Sequence, residues 1–104
     1  MQISFHPQAE QELEEAIAWY DGLSRRLGNE FLGEVEKALD RIVAFPEAWA
    51  SLSPNTRRCR LNKFPYGVVY RVVPEMIQVI AIMHLHRNPG YWIGRIERGQ
   101  ADED

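Results

Sequence analysis

The sequence has one cysteine, Cys59, so it forms no internal disulfide and offers no cysteine-built zinc site. This usage is consistent with a reducing compartment, and Cys59 is expected to serve as a small buried apolar residue. No apolar run approaches the roughly 18 residues of a membrane span. The opening Met1, Gln2, Ile3, Ser4, Phe5 and His6 lack the basic-then-apolar order of a secretory signal. A cytoplasmic protein without a membrane segment is therefore expected. No glycine-rich phosphate loop occurs. With 104 residues the chain suffices for one core of modest size, so residues 1–104 are read as one domain, with about 99–104 a disordered acidic tail.

A net charge of −3 conceals a division. Residues 1–56 carry 4 basic and 10 acidic side chains, whereas residues 57–98 carry 8 basic and 2 acidic ones. The second part is thus a local basic surface on an acidic protein, suited to an anionic partner. The overall pI of about 5.6 argues against strong nonspecific nucleic-acid binding.

Periodicity supplies the elements. Gln2 to Phe5 alternates as a short strand does. Pro7 suits a helix start, and Glu10, Glu12, Glu14 and Glu15 complement the positive end of its dipole. Ala9, Leu13, Ala16, Ile17, Tyr20, Leu23 and Leu27 form one apolar stripe, with Arg25 and Arg26 at the predicted helix end and Gly28 as its stop. A second helix takes Phe31, Leu32, Val35, Leu39, Ile42 and Val43, and ends at Phe45 and Pro46. Pro46 to Thr56 reads as loop. Arg57 to Leu61 reads as a strand with Arg58 and Arg60 on one face and Cys59 and Leu61 on the other. Val68 to Val73 is the next strand, and a tight reversal at Pro74 and Glu75 leads into Ile77 to Met83, an apolar run expected to be covered on both faces in the middle of the sheet. The predicted class is α+β: an N-terminal strand, an antiparallel two-helix hairpin packed on a mainly antiparallel sheet of about four strands, and a short C-terminal helix.

The apolar run delivers His84, Leu85, His86, Arg87 and, after Pro89 and Gly90, Tyr91 and Trp92 to its exit. Attack of a ribose 2′ hydroxyl on its phosphodiester needs proton acceptors and donors together with cations for the developing charge. His84, His86, Arg87, Tyr91, Arg58 and Arg60 supply those residue types. His84 and His86 would share a strand face with Ile80 and Ile82, and packing is the simpler role for each imidazole, as it is for Tyr91 and Trp92. Without a carboxylate or thiolate nearby the two imidazoles make a poor metal site, so neither metal nor cofactor is expected.

Residues 2–96 resemble the toxins of the RelE/ParE superfamily of type II toxin-antitoxin systems, particularly the ParE-like, plasmid-stabilisation branch. The matching residues are Phe5, His6, Pro7 and Ala9, then Ala16, Trp19 and Tyr20, then Gly28, Phe31 and Leu32. Arg57, Arg58, Leu61, Phe64, Pro65, Tyr66, Val69, Tyr70 and Arg71 follow, and His84, Arg87, Pro89, Tyr91 and Trp92 close the set. The resemblance implies a small α+β toxin neutralised by a cognate antitoxin, in a toxin-antitoxin hetero-oligomer or with a homodimeric toxin. RelE-like members cleave mRNA on the ribosome, whereas characterised ParE-like members inhibit DNA gyrase. For RNA cleavage the resemblance assigns phosphate binding to the Arg57–Arg60 strand, charge stabilisation to Arg87 and proton transfer to His84 or Tyr91, with Arg60 among the catalytic set. For target binding it points to Arg57, Arg58, Arg60, Arg87 and Trp92. This chain is acidic overall and lacks a lysine-rich face, so the expectation adopted is a ParE-like toxin acting by binding gyrase. Ribosome-dependent mRNA cleavage is the alternative, and a non-toxic scaffold that keeps only antitoxin binding is a third.

Overall fold

Pro7 begins the first helix where its missing N–H costs nothing, and His6 Nδ1 accepts the Gln8 N–H at 3.1 Å as a cap. The computed structural model describes residues 1–96, so the expected acidic tail lies outside the described residues. The elements in chain order are β1 (Gln2–Phe5), α1 (Pro7–Leu23), α2 (Arg25–Ala44), β2 (Ala50–Ser53), β3 (Thr56–Arg60), β4 (Tyr66–Val73) and β5 (Met76–His84). A helical turn follows at 93–96.

The helical stripe ends earlier than its sequence suggests. Ser24 is extended, at φ −170° and ψ 132°, and by itself separates α1 from α2. Arg25 and Arg26 therefore open the second helix instead of closing the first. Gly28 is a buried residue within α2, where an added Cβ would stand 2.9 Å from Asp21 Cβ. Close approach of the two helices requires that glycine, not a left-handed stop.

The sheet is mixed and five-stranded, in the order β1-β5-β4-β3-β2, instead of the expected four mainly antiparallel strands. β1 runs parallel to β5, pairing Gln2 with Met76 through Phe5 with Val79. β2 pairs antiparallel with β3 inside the stretch read as loop. Its four residues, Ala50, Ser51, Leu52 and Ser53, alternate but include no β-branched or aromatic residue, so they carry little strand preference of their own. Pro74 and Glu75 make the predicted reversal, with Glu75 at φ 60°. β5 is covered on both faces as its composition predicts, although β4 holds the middle position.

One face of the sheet packs on the helices through Cys59, Leu61, Val68, Tyr70, Ile77, Val79 and Ile82, against Phe31, Val35, Ala38 and Ile42. On the other face Val69, Ile80, Ala81 and Met83 pack with Trp92, flanked by Leu85, Tyr91 and Ile96. One extra residue sets this division. Tyr70 pairs with Val79 but Val69 pairs with Ala81, so Ile80 is a bulge. Ile80 and Ala81 both turn to the outer cluster, and Ile82 returns to the helix face that Ile77 and Val79 occupy. The tyrosine between the layers is also anchored: Tyr70 donates its hydroxyl to the Pro46 carbonyl at 2.6 Å, and burial pushes its pKa up to about 12. Among the described residues no helix is long and apolar enough to cross a membrane.

The two glycines of α2 predict opposite responses to alanine. At Gly33 nothing lies within 4 Å of an added Cβ, so Gly33→Ala should stabilise the fold by about 0.5–1 kcal/mol in urea denaturation. At Gly28 the Asp21 contact outweighs that gain, and Gly28→Ala should lower stability by about 1–2 kcal/mol in the same measurement.

Candidate functional site

β3 projects its arginines to both sides of the sheet. Cys59 points into the helix-facing core, so Arg58 and Arg60 face outward by strand alternation. Arg57 points the other way and donates from Nη1 to the Trp49 carbonyl at 2.9 Å. Arg60 is exposed, whereas the stem of Arg58 lies against Gly67, where an added Cβ would meet Arg58 Cγ at 2.8 Å.

The bulge at Ile80 sends His84 to the opposite side. His84 follows Ile82 by two residues and shares its helix-facing side, edge-on to Tyr66 at 5.0 Å between ring centroids. Tyr66 in turn meets Phe31 at 5.0 Å, and Phe31 stacks on Tyr20 at 5.2 Å. His84 therefore continues an aromatic row running out of the hairpin core. Its Nδ1 accepts the His86 backbone N–H at 3.1 Å, which leaves Nε2 directed elsewhere. His86 is exposed and packs its ring 5.2 Å from that of His84.

Residues 85–96 then wrap around the edge of β5 that β1 leaves uncovered. Glu12 organises this edge. Its carboxylate, 14% exposed, accepts from Arg95 Nη1 and Nη2 at 2.9 Å each, from the Tyr91 hydroxyl at 2.8 Å and from the Ile82 backbone N–H at 3.1 Å. Arg95 Nη1 also donates to the Ile80 carbonyl at 2.9 Å. The guanidinium of Arg87 stands 3.9 Å from the Tyr91 ring centre and 3.7 Å from Glu12 Oε2. Burial pushes the Tyr91 phenol well above its ordinary pKa, and the hydrogen bond to Glu12 and the charge of its carboxylate push it further. Tyr91 is thus a committed proton donor to Glu12, not a base near neutrality.

A cavity of about 280 Å³ lies between α1 and the end of β5, lined among others by Glu15, Trp19, Tyr66, His84 and Arg87. Trp19 is 66% exposed at its rim.

The structure brings Arg87 and Tyr91 together and keeps Arg58 beside Arg60, but it places His84 across the sheet from that pair. Trp92, expected to contact a target, is 3% exposed and packs in the outer core. Sequence reasoning missed Glu12, Arg95 and Trp19. Glu12 reads locally as one of several acidic residues in the first half of α1, and its partner Arg95 lies 83 residues away. Among the described residues no group of three His, Cys, Asp or Glu is placed to hold a metal ion.

The family model described as ParE toxin of type II toxin-antitoxin system, parDE, matches residues 3–89. Toxin ParE2 of Mycobacterium tuberculosis, in the strains CDC 1551 / Oshkosh and ATCC 25618 / H37Rv, is 34% identical over 91 residues, covering 84% of this chain and 84% of the relative. Among solved structures, the chromosomal ParDE TA system from P. aeruginosa superposes with a TM-score of 0.61 at 18% identity, covering 83% of this chain and 97% of that one. The isolated E. coli RelE toxin gives 0.60 at 20% identity, covering 93% and 96%. At these identities the two solved structures speak for the fold alone.

Replacing Glu12 by Gln should cost about 3 kcal/mol, because Arg95 stays buried without its counter-ion. The same change should lower the Tyr91 pKa toward its ordinary value, read by ultraviolet titration of the phenols, since Glu12 is one of the causes that raise it. In the unchanged protein Tyr70 and Tyr91 bind their protons more tightly folded than unfolded. Stability should therefore be full below about pH 10 and decline as pH rises above it.

Proposed function

The chain belongs to the ParE toxin family of type II toxin-antitoxin systems, and from this membership we propose that it arrests growth by binding DNA gyrase in the cytoplasm. Family membership also gives it a cognate antitoxin, and in our reading the neutralised form is a toxin-antitoxin hetero-oligomer. The observation that carries the choice of binding over RNA cleavage is the position of His84. A phosphodiester held by Arg58 and Arg60 on the outer face of the sheet is out of reach of an imidazole that faces α1 beside Tyr66. Tyr91, the other candidate for proton transfer, already donates to Glu12, and its raised pKa removes it as a base near neutral pH. Arg87 is stacked on that same tyrosine. Exposed Arg60 beside half-buried Arg58 on the outer sheet face, with no acid and base assembled there, suits recognition of an acidic protein surface. In this reading Arg58 and Arg60 on the outer face and Arg87 at the cavity by α1 are contacts to gyrase, and Arg57, tied to the Trp49 carbonyl, shapes the strand that presents the first two.

Induced expression without the antitoxin, followed by pulse labelling, tests the proposal. DNA synthesis should fail before protein synthesis, and the purified protein should inhibit supercoiling by gyrase. Arg60→Ala should weaken that inhibition about tenfold while leaving the fold intact, and His84→Ala should leave it within about twofold. Protein synthesis failing first, with loss of activity in His84→Ala, would establish RNA cleavage instead. Absence of any arrest would identify a non-toxic scaffold.

A further inference from the structure

The cavity between α1 and the end of β5 takes one wall from a single face of the helix, because Glu12, Glu15, Ala16 and Trp19 recur at steps of three and four residues. The facing wall carries Tyr66, Ile82, His84 and Arg87. Its volume of about 280 Å³ suits one small planar molecule. Trp19, 66% exposed, offers a flat apolar face at the rim that the core does not enclose.

The polar groups of the two walls differ in kind. On the sheet side His84 accepts the His86 N–H at Nδ1, 3.1 Å away, so the neutral ring keeps its proton on Nε2 and presents a fixed donor. A protonated Nε2 ligates no metal ion, so the ring is set to meet an acceptor. The Tyr66 hydroxyl stays protonated, because burial raises its pKa, and it has no hydrogen-bond partner among the described residues. Arg87 adds a cation whose contact to Glu12 is long, at 3.7 Å. On the helix side Glu12 is already filled by Arg95, Tyr91 and the Ile82 N–H. Glu15 is not: Gln11 Nε2 holds its Oε1 at 3.0 Å, and it forms no ion pair among the described residues. A positioned carboxylate thus stands one helical turn from an indole face, across from a row of donors.

A matching ligand lays a flat face on Trp19, turns N–H groups to Glu15 and gives an acceptor to His84 Nε2. Nucleobases have such edges, and they differ in the order of donors and acceptors. Guanine sets N1–H and its 2-amino group side by side, as the two oxygens of a carboxylate require, with O6 next to them on the same edge. Adenine and cytosine turn a ring-nitrogen lone pair toward the carboxylate, and uracil and thymine flank one N–H with two carbonyl oxygens. We propose that this cavity binds a guanine base, stacked on Trp19, with N1–H and the 2-amino group donating to Glu15 and O6 accepting from His84 Nε2 and Arg87. Free guanine nucleotides and guanine in a single-stranded nucleic acid share this chemistry. Guanine recognition here is independent of the choice of gyrase as target, because Glu15 and Trp19 have no part in that reading.

Titration of the whole chain with guanosine 5′-monophosphate, followed in a ¹⁵N correlation spectrum, tests the site. The indole signal of Trp19 should move while those of Trp49 and Trp92 stay, with half-saturation at about 1 mM or below. Inosine 5′-monophosphate, which lacks the 2-amino group, should bind about tenfold more weakly, and adenosine 5′-monophosphate at least as weakly as that. Glu15→Gln and Trp19→Ala, both at exposed positions with little risk to the fold, should each weaken the guanosine compound about tenfold, the first read from the Trp19 signal and the second by calorimetry. A thymidine heptamer with guanine at its centre separates the two sources. Binding tighter than that of the monophosphate, and lost in the all-thymine heptamer, assigns the site to single-stranded nucleic acid; equal or weaker binding assigns it to free nucleotides. No movement of the Trp19 signal at about tenfold the expected concentration, adenosine or all-thymine ligands binding as tightly as their guanine counterparts, or affinity unchanged in both variants would overturn the proposal.

Discussion

β1 stops at Phe5, so β5 beyond Val79 has no strand on one side, and the backbone there must find partners or be buried unsatisfied. Two side chains replace the missing strand. Glu12 accepts the Ile82 N–H, and Arg95 donates to the Ile80 carbonyl while holding Glu12 in a two-pronged pair. Because the first of these residues sits on α1 and the second at the far end of the chain, one stretch of unpaired strand ties the helical layer, the sheet and the C-terminal wrap together. Tyr91 and Arg87 are drawn into the same cluster.

That solution has chemical consequences. The phenol that a nuclease would use is spent on structure, and the extra residue at Ile80 turns His84 toward the helices. What remains outward, without an ion pair among the described residues, is positive charge on β3. Such a surface suits the binding role proposed above, which asks no group to change protonation state.

The sequence disclosed the architecture where its signals were local. Pro7 marked a helix start, the apolar periodicity gave both helices, alternation in Arg58, Cys59, Arg60 and Leu61 assigned the faces of β3, and the apolar run gave β5. It misled where partners are distant. Ser24 is a residue type favoured at helix starts, but Leu27 three residues on offers no capping-box partner and the apolar stripe runs through it, and Gly28 resembles a stop until Asp21 is seen against it. β2 exists because β3 pairs with it, not because its own four residues favour a strand. The site was half legible: the basic residues and the exit of β5 were visible, but a single inserted residue inverts the side on which His84 falls. The bulge is defined by its register with β4, which no property of the run Ile77 to Met83 reveals.

The span of the Glu12 cluster also orders assembly in time. Tyr91 and Arg95 reach Glu12 across 79 and 83 residues, and β1 can pair only once Met76 to Val79 exist. The helix hairpin has its contacts at hand early, but the sheet it covers is completed from both extremes of the described chain. A growing polypeptide therefore carries an unfinished edge and an unpaired Glu12 until Arg95 has been made, and closing so long a loop adds to the entropic cost of that contact. Synthesis itself acts as a timer: fragments that stop short of Arg95 lack the fastening that brings the two ends of the fold into one body.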